Sequence, residues 1–392
     1  MTLQTSSNRA LSIPELCDLV CGFVYHPDSL PDLKSLALVN RSFVSPAQTH
    51  LFHTIDFRRS PLRITPWVLK NALISFPYLR PLIHSLSASL ETPDIPKFLH
   101  HLDLPGLRKL DLYYGAGALD RSNMIAIRHL LGTPSLEEFS LTTALIHKND
   151  LDILFGDCAR NLHALTLCVD MWDGYDFAPA IDEDEDWVDP VQYRRRPQIQ
   201  TLILKCAKPR DSLENWLSQN NCPLDLRTLR IATIETVFNS NEPKEFLNKA
   251  HSTLEILEID AKDFLNGPIT AQFTHLRQLL LNGGALSHYI RILSCLPQSL
   301  DRLEVLGLHW AWSRDEPDPR MLRNIDNIVA SLSLPALTLV IIPIPWKESS
   351  IPTFHIGLRL MQLKEHNLTE DERRRVSDLF PQMSARGVLQ VR

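Results

Sequence analysis

Leu107-Arg108-Lys109-Leu110-Asp111-Leu112 places leucine at the first, fourth and sixth of six positions, and this spacing governs how the rest of the chain is read. The fourth and sixth residues alternate with polar ones, which is the period of a strand with one buried face. The spacing returns as Leu136-Phe139-Leu141, Leu162-Leu165-Leu167, Ile199-Leu202-Leu204, Leu226-Leu229-Ile231, Leu254-Leu257-Ile259, Leu276-Leu279-Leu281 and Leu300-Leu303-Val305. Leu337-Val340-Ile342 is a looser copy and Ile83-Leu86-Ala88 a degenerate first one. Most intervals run from 22 to 29 residues, but Leu162 to Ile199 and Leu300 to Leu337 are 37 each, which implies inserted loops at about 171–197 and 309–322. Between copies, Met124 to Leu131, Leu151 to Phe155, Leu213 to Leu217 and Tyr289 to Leu296 carry apolar residues three or four apart, the spacing of helices. One unit is therefore strand, turn, helix, turn. Such a unit cannot bury its own apolar edge, whereas stacked neighbours share a core and align their strands in a parallel sheet.

Composition agrees. Leucine makes up 66 of 392 residues, about one in six, while there are only 13 glycines against 27 prolines, which weakens any reading built on Gly-rich phosphate loops. A net charge of −6 provides no positive field for nucleic acid, so no nucleic-acid partner is expected. The seven cysteines are scattered without a C-x-x-C pair and read as reduced thiols, which suits a cytoplasmic or nuclear protein. No apolar run reaches the roughly 18 residues of a membrane span, and Glu15 and Asp18 interrupt the first apolar segment, so neither a membrane partner nor a secretory signal is expected.

Over roughly residues 80 to 392 the repeats resemble the leucine-rich-repeat family. That resemblance implies an α/β repeat solenoid with parallel strands on a concave face and helices outside. Where the common pattern has Asn or Cys, this chain has Gly115, Ala144, Asp170, Ala207, Ile234, Lys262, Gly284 and Leu308, so irregular repeats lacking that side-chain ladder are expected.

The first 57 residues follow another rule. Leu16, Leu19, Val20, Phe23 and Val24 recur at helical spacing behind a Ser12/Glu15 capping box. A second helix is expected near Asp32, with Leu33, Leu36, Ala37 and Val39 as its stripe. A third starts at Ser45 with Pro46 at its first position and Gln48 completing a box, and Thr54 to Phe57 reads as a strand. Ser12-Ile13-Pro14-Glu15-Leu16, then Leu36 to Phe43, then Leu51-Phe52, resemble the F-box, a small three-helix module that docks on the Skp adaptor of cullin-RING ubiquitin ligases. Asn40 and Phe43 stand where that family often has Cys and Trp. An F-box followed by irregular leucine-rich repeats is a familiar eukaryotic combination, including large fungal families.

These resemblances divide the chain into an F-box at 10–57 and a solenoid at 58–392. They imply an adaptor patch drawn from Ile13, Pro14, Leu16, Leu19, Val20, Leu36, Val39 and Phe43, shared with the module's own core. A segment of some 45 residues is too small to bury all its leucines, so an apolar patch should remain for a partner. On the repeat strands, positions three, five and seven point away from the leucines, and Lys109, Asp111, Tyr113, Glu138, Ser140, Thr201, Lys205, Arg230, Glu258, Gln278, Arg302 and Glu304 are the candidate target-binding residues. Their mixed charge suits a protein target better than a polyanion. The expected role is that of a non-catalytic substrate receptor; the alternatives are a repeat scaffold without ligase function, its first helices a mere end cap, or an enzyme with an unfamiliar site in an insertion.

No cofactor or metal is expected. Gly115-Ala116-Gly117 has Asp120 where a dinucleotide loop needs its third glycine, and His50/His53 and His100-His101 have no second ligand pair with zinc spacing. G-x-S-x-G, H-E-x-x-H and the phosphate-loop motif do not occur. The acidic run Asp182 to Asp186 reads as a surface loop, and Thr369/Glu372 as the cap of a closing helix ahead of a last strand at Val388 to Val391.

Overall fold

The computed structural model describes residues 14–25, 30–58, 65–92, 94–156, 158–173, 196–206, 212–236, 245–261, 273–283, 286–294, 296, 300, 302–312, 318–331, 338–345, 370–387 and 389–391. Ser12, Ile13, the acidic run 182–186 and Thr369 lie outside them. The chain forms two compact units, Met1–Leu141 with Asp157–Asn161, and Thr142–Gly156 with Leu162–Arg392. Both are α/β, with parallel strands that follow chain order and helices between them.

The first unit opens with helices α1 (Pro14–Val24), α2 (Leu30–Val39) and α3 (Val44–His53). Their core is Cys17, Cys21, Leu33, Phe43 and Ala47, with Val24, Tyr25, Leu36, Ala37 and Leu51 packed against it. The third helix starts differently from expectation. Asn40 accepts a hydrogen bond from the Ser42 backbone N–H and caps a 3₁₀ turn at Arg41–Phe43 that runs into α3. With the chain already helical at Phe43, no Ser45 cap forms, and the Ser45 carbonyl instead accepts from the Thr49 hydroxyl.

Strand β1 (Thr54–Asp56), helix α4 (Pro66–Ser75), a 3₁₀ segment at Pro77–Leu82, β2 (Ser85–Ser89), α5 (Asp94–His100), β3 (Lys109–Ala118) and α6 (Arg121–Leu131) complete this unit. β1 pairs with β2 and β2 with β3, all parallel, with Ile55, Leu86 and Leu110 in register and buried. The degenerate copy at Ile83 is thus a full strand, and β1 adds one ahead of it. β2 carries only serines at alternate positions 85, 87 and 89. They are small enough for Arg58 to reach from beside Asp56 on β1 to Asp111 on β3, at 3.7 and 2.8 Å.

Strand β4 (Glu138–His147) straddles the division between the units. The second unit continues with α7 (Lys148–Phe155), β5 (Ala164–Asp173), β6 (Thr201–Cys206), α8 (Ser212–Ser218), β7 (Ile231–Thr236), α9 (Glu245–Lys249), β8 (Ile256–Asp260) and β9 (Gln278–Asn282). Then come α10 (Leu286–Ser294), β10 (Val305–Trp312), α11 (Pro319–Ser331), β11 (Thr338–Pro345), α12 (Glu370–Leu379), α13 (Pro381–Ala385) and β12 (Leu389–Val391). β5 to β12 pair in sequence, every pair parallel. Residues 171–173 belong to β5, 309–312 to β10 and 319–322 to α11, so both expected insertions are shorter than the spacing implied.

Two copies sit three residues later than the leucine spacing suggests. Thr201 pairs with Ile231 and Gln278 with Val305, so the buried triplets are Leu229-Ala232-Ile234 and Leu303-Leu306-Leu308. Leu226 and Leu300 are also buried, in the turns before them, and each stretch thus offers two overlapping registers. In the loosest copy β11 is one residue off: Leu339, not Val340, pairs with Leu306.

Polar contacts choose among these registers. The residue before the first leucine repeatedly donates to a carbonyl of the preceding repeat: Ser135 to Leu107, Asn161 to Pro134, Thr228 to Ile199 and Thr253 to Leu229, at 2.7, 2.8, 3.2 and 2.9 Å. This ladder marks Leu229 as a first leucine and stands at the N-terminal end of the strands. Just after the first leucine, a second row alternates in charge, with Arg230 bidentate on Glu255 and Arg277 bidentate on Glu304. These exposed pairs fix register more than they add stability.

Most leucine side chains of the described strands are fully buried, among them Leu257 on β8, flanked in register by Ala232 and Leu279. Leu257→Ala should cost about 3 kcal/mol, the sum of lost transfer energy and an unfilled cavity. The expected readout is a lower urea midpoint with an unchanged slope.

Candidate docking surfaces

On α1, Cys17, Cys21 and Val24 lie at positions i, i+4 and i+7 and face the module core, which turns Leu16, Leu19, Val20 and Phe23 outward. Phe23 is 94% exposed and Leu19 69%, while Leu16 and Val20 are about two-fifths exposed. On α2, Leu33 takes the core position, leaving Leu38 at 88% and Val39 at 69% exposed. Leu36 is half-buried against the core.

Of the residues expected to be shared between patch and core, Phe43 goes to the core: it is 3% exposed, in a 3₁₀ turn capped by Asn40. Ile13 and the side chain of Pro14 fall outside the described residues. Phe23 and Leu38 were absent from the expected patch. The signal for Phe23 lies in the cysteines, small hydrophobes that favour interiors and mark the inner stripe of α1. Burial pushes the Cys21 thiol up, with help from Cys17 and Asp18, which suits Cys21 to packing.

Histidines cluster where this module meets the strands. The Tyr25 and His50 rings stack at 5.3 Å, with His50 Nε2 3.8 Å from an Asp18 carboxylate oxygen. The His53 and His84 rings stack at 4.8 Å, and the His84 backbone N–H donates to the His53 carbonyl. Burial holds the His53 pKa below the ordinary imidazole value, and His84, His50 and Arg108 add to the effect. The unfolded chain therefore takes up this proton more readily than the folded one. The His53 contribution to stability is complete above about pH 6.5 and is lost as pH falls through that value and below. Because this side chain is largely exposed the effect is small: thermal midpoints should fall slightly between about pH 7 and 5.5, and His53→Gln should reduce that fall.

The candidate target-binding residues divide. Lys109 and Glu138 are ion-paired to each other at 2.8 Å, and Asp111 is paired to Arg58. Tyr113 is exposed, and Ser140, Thr201, Lys205 and Gln278 are half-buried on the face away from the leucines. Glu258 lies on that face but is 4% exposed, accepting from the Thr233 hydroxyl at 3.2 Å and from the Asn282 side-chain amide. Arg230, Arg302 and Glu304 are corrected by the three-residue shift. All three precede their strands, and Arg230 and Glu304 are the ion-pair row described above; Ile231, Thr233, Val305 and Gly307 take the face positions.

This chemistry suits macromolecular docking: one apolar face on helices and one mixed, largely self-paired face on strands. Among the described residues no group of three or more His, Cys, Asp or Glu could hold a metal ion, and no helix is long and apolar enough to cross a membrane. A scan against protein-family models and a search of curated proteins both returned no match for the chain.

Proposed function

We propose that the chain is the substrate-recognition subunit of a Skp/cullin-RING ubiquitin ligase, its three N-terminal helices an F-box and its strand-helix units a leucine-rich-repeat solenoid that holds a target protein. The observation that carries this reading is the outward stripe of Leu16, Leu19, Val20, Phe23, Leu38 and Val39 on a module whose core is already complete without it. Large apolar side chains left this exposed on two adjacent helices are a surface awaiting a partner. On this reading the chain breaks and forms no bond. Its contribution is to tether the target beside a ubiquitin-loaded enzyme, which raises the effective concentration of the reacting groups.

The test is direct binding of the purified full chain to a Skp-type adaptor, followed by titration calorimetry. A stoichiometric complex that also brings in the cullin is the expected result. A chain that melts cooperatively yet fails to bind the adaptor overturns the proposal.

A further inference from the structure

Helix α4 buries only Leu69 and Leu73, and its outer face carries Trp67, Val68 and Ile74 around the exposed Asn71 and Ser75. Phe76 and Tyr78 follow in the turn, their rings edge-to-face at 6.1 Å. These five side chains are each between 50% and 66% exposed. On the outer side of a ten-residue surface helix polar residues ordinarily predominate, whereas here three large apolar side chains outnumber Asn71 and Ser75. We propose that this face, separate in sequence from the outward stripe of α1 and α2, is a second docking surface that takes an acidic amphipathic segment of a partner protein.

Area and charge choose that occupant. Aromatic side chains supply about 150–250 Å² each when fully covered, so three of them and two aliphatics at this exposure offer on the order of 500 Å². That lies within the roughly 300–600 Å² of the largest apolar patch on an ordinary monomer, which is often functional, and below the roughly 800 Å² per partner of a standard protein interface, so it suits a peptide-sized segment. From Thr65 to Leu82 there is no carboxylate, and the charges are Lys70 and Arg80. The Arg80 guanidinium is engaged by the Leu73 carbonyl and lies 3.9 Å from Asp103. Lys70 Nζ lies 5.7 Å from the Trp67 ring centre, placing a cation at the apolar face itself. A second copy of this chain would bring Lys70 against another Lys70 with no counter-charge, and a lipid surface would find one cation where stable adsorption needs several. A segment with Asp and Glu between Leu and Phe matches both the apolar area and the charge.

The probe is a fluorescent fourteen-residue amphipathic peptide with Leu and Phe at every third or fourth position and Asp or Glu elsewhere, titrated with the full chain beside a twin carrying Lys at the acidic positions. The acidic peptide should bind at least tenfold more tightly than its basic twin. Trp67→Ala with Ile74→Ala should weaken it at least tenfold with an unchanged melting curve, since both side chains face solvent. Lys70→Glu keeps the apolar face and should erase or reverse the preference between peptides. Phe23→Asp with Leu38→Asp, which disables the proposed adaptor face, should leave peptide binding intact, so the two proposals fail separately. Equal affinity for both peptides overturns this one, as does Trp67-dependent self-association in sedimentation or preferential binding to phosphatidylserine vesicles.

Discussion

Phe23→Asp combined with Leu38→Asp should lower affinity for a Skp-type adaptor at least 100-fold while leaving the melting temperature within a degree or two of the parent. Both side chains are almost wholly exposed, so neither substitution removes packing from the folded chain. Interface anchors of this size cost 2 kcal/mol or more each when truncated, and a carboxylate in their place adds the cost of burying a charge in an apolar contact. Two such losses exceed the 2.7 kcal/mol that corresponds to 100-fold. Phe43 supplies the contrast. It is buried beside Cys17, Cys21 and Leu33, so Phe43→Ala should act on stability, by about 3–5 kcal/mol, and on binding only through loss of the folded module. If Phe23→Asp/Leu38→Asp bound the adaptor as tightly as the parent, the outward stripe would not be the docking face.

The second large effect is expected at Asp326. On α11, Leu322, Ile325 and Val329 form the buried stripe, and Asp326 lies among them at 1% exposed. Its two carboxylate oxygens accept the backbone N–H groups of Gln382 at 2.9 Å and Met383 at 3.1 Å, which are donors of the first turn of α13 with no partner inside their own helix. Asp326 thus acts as an N-cap supplied by another helix, with Phe380 and Met383 buried beside it. Hydrogen bonds to a charged group contribute about 1.5–3 kcal/mol each, so Asp326→Ala should cost about 3–5 kcal/mol, most of it as early opening of α13. Amide exchange at Gln382 and Met383 reads this directly. Protection there unchanged in the variant, with the same global midpoint, would exclude the capping role.

Much of the fold is legible in the chain because the repeat core demands large apolar residues at fixed intervals. The triplets beginning at Ile83, Leu107, Ile199, Leu254 and Leu276 stand on the strands and in the registers their spacing implies. Register failed where the turn before the strand is as leucine-rich as the strand itself. Leu226-Leu229 and Leu300-Leu303 each satisfy the pattern twice, and the choice belongs to partners some 25 residues away: Thr228 on the Ile199 carbonyl, Arg230 on Glu255 and Arg277 on Glu304. The candidate surfaces depended on the same distinction. Moving each strand by three residues took Arg230 and Glu304 off the face and into ion pairs with Glu255 and Arg277, while Lys109 and Glu138 keep their places but neutralise one another.

By itself, then, the sequence determined the class of unit, the parallel order of the strands and the helical character of the N-terminal segment, because each follows from local periodicity of apolar side chains. Only the tertiary structure decided which apolar side chains are core and which are surface. On α1 that decision rests on Cys17 and Cys21 meeting Leu33 and Phe43, which pushes a stripe of larger hydrophobes outward. On α11 it rests on a helix end 56 residues away, which makes a carboxylate the right residue in the middle of an apolar stripe. In both cases the deciding partner is distant in the chain, and periodicity within one helix carries no record of it.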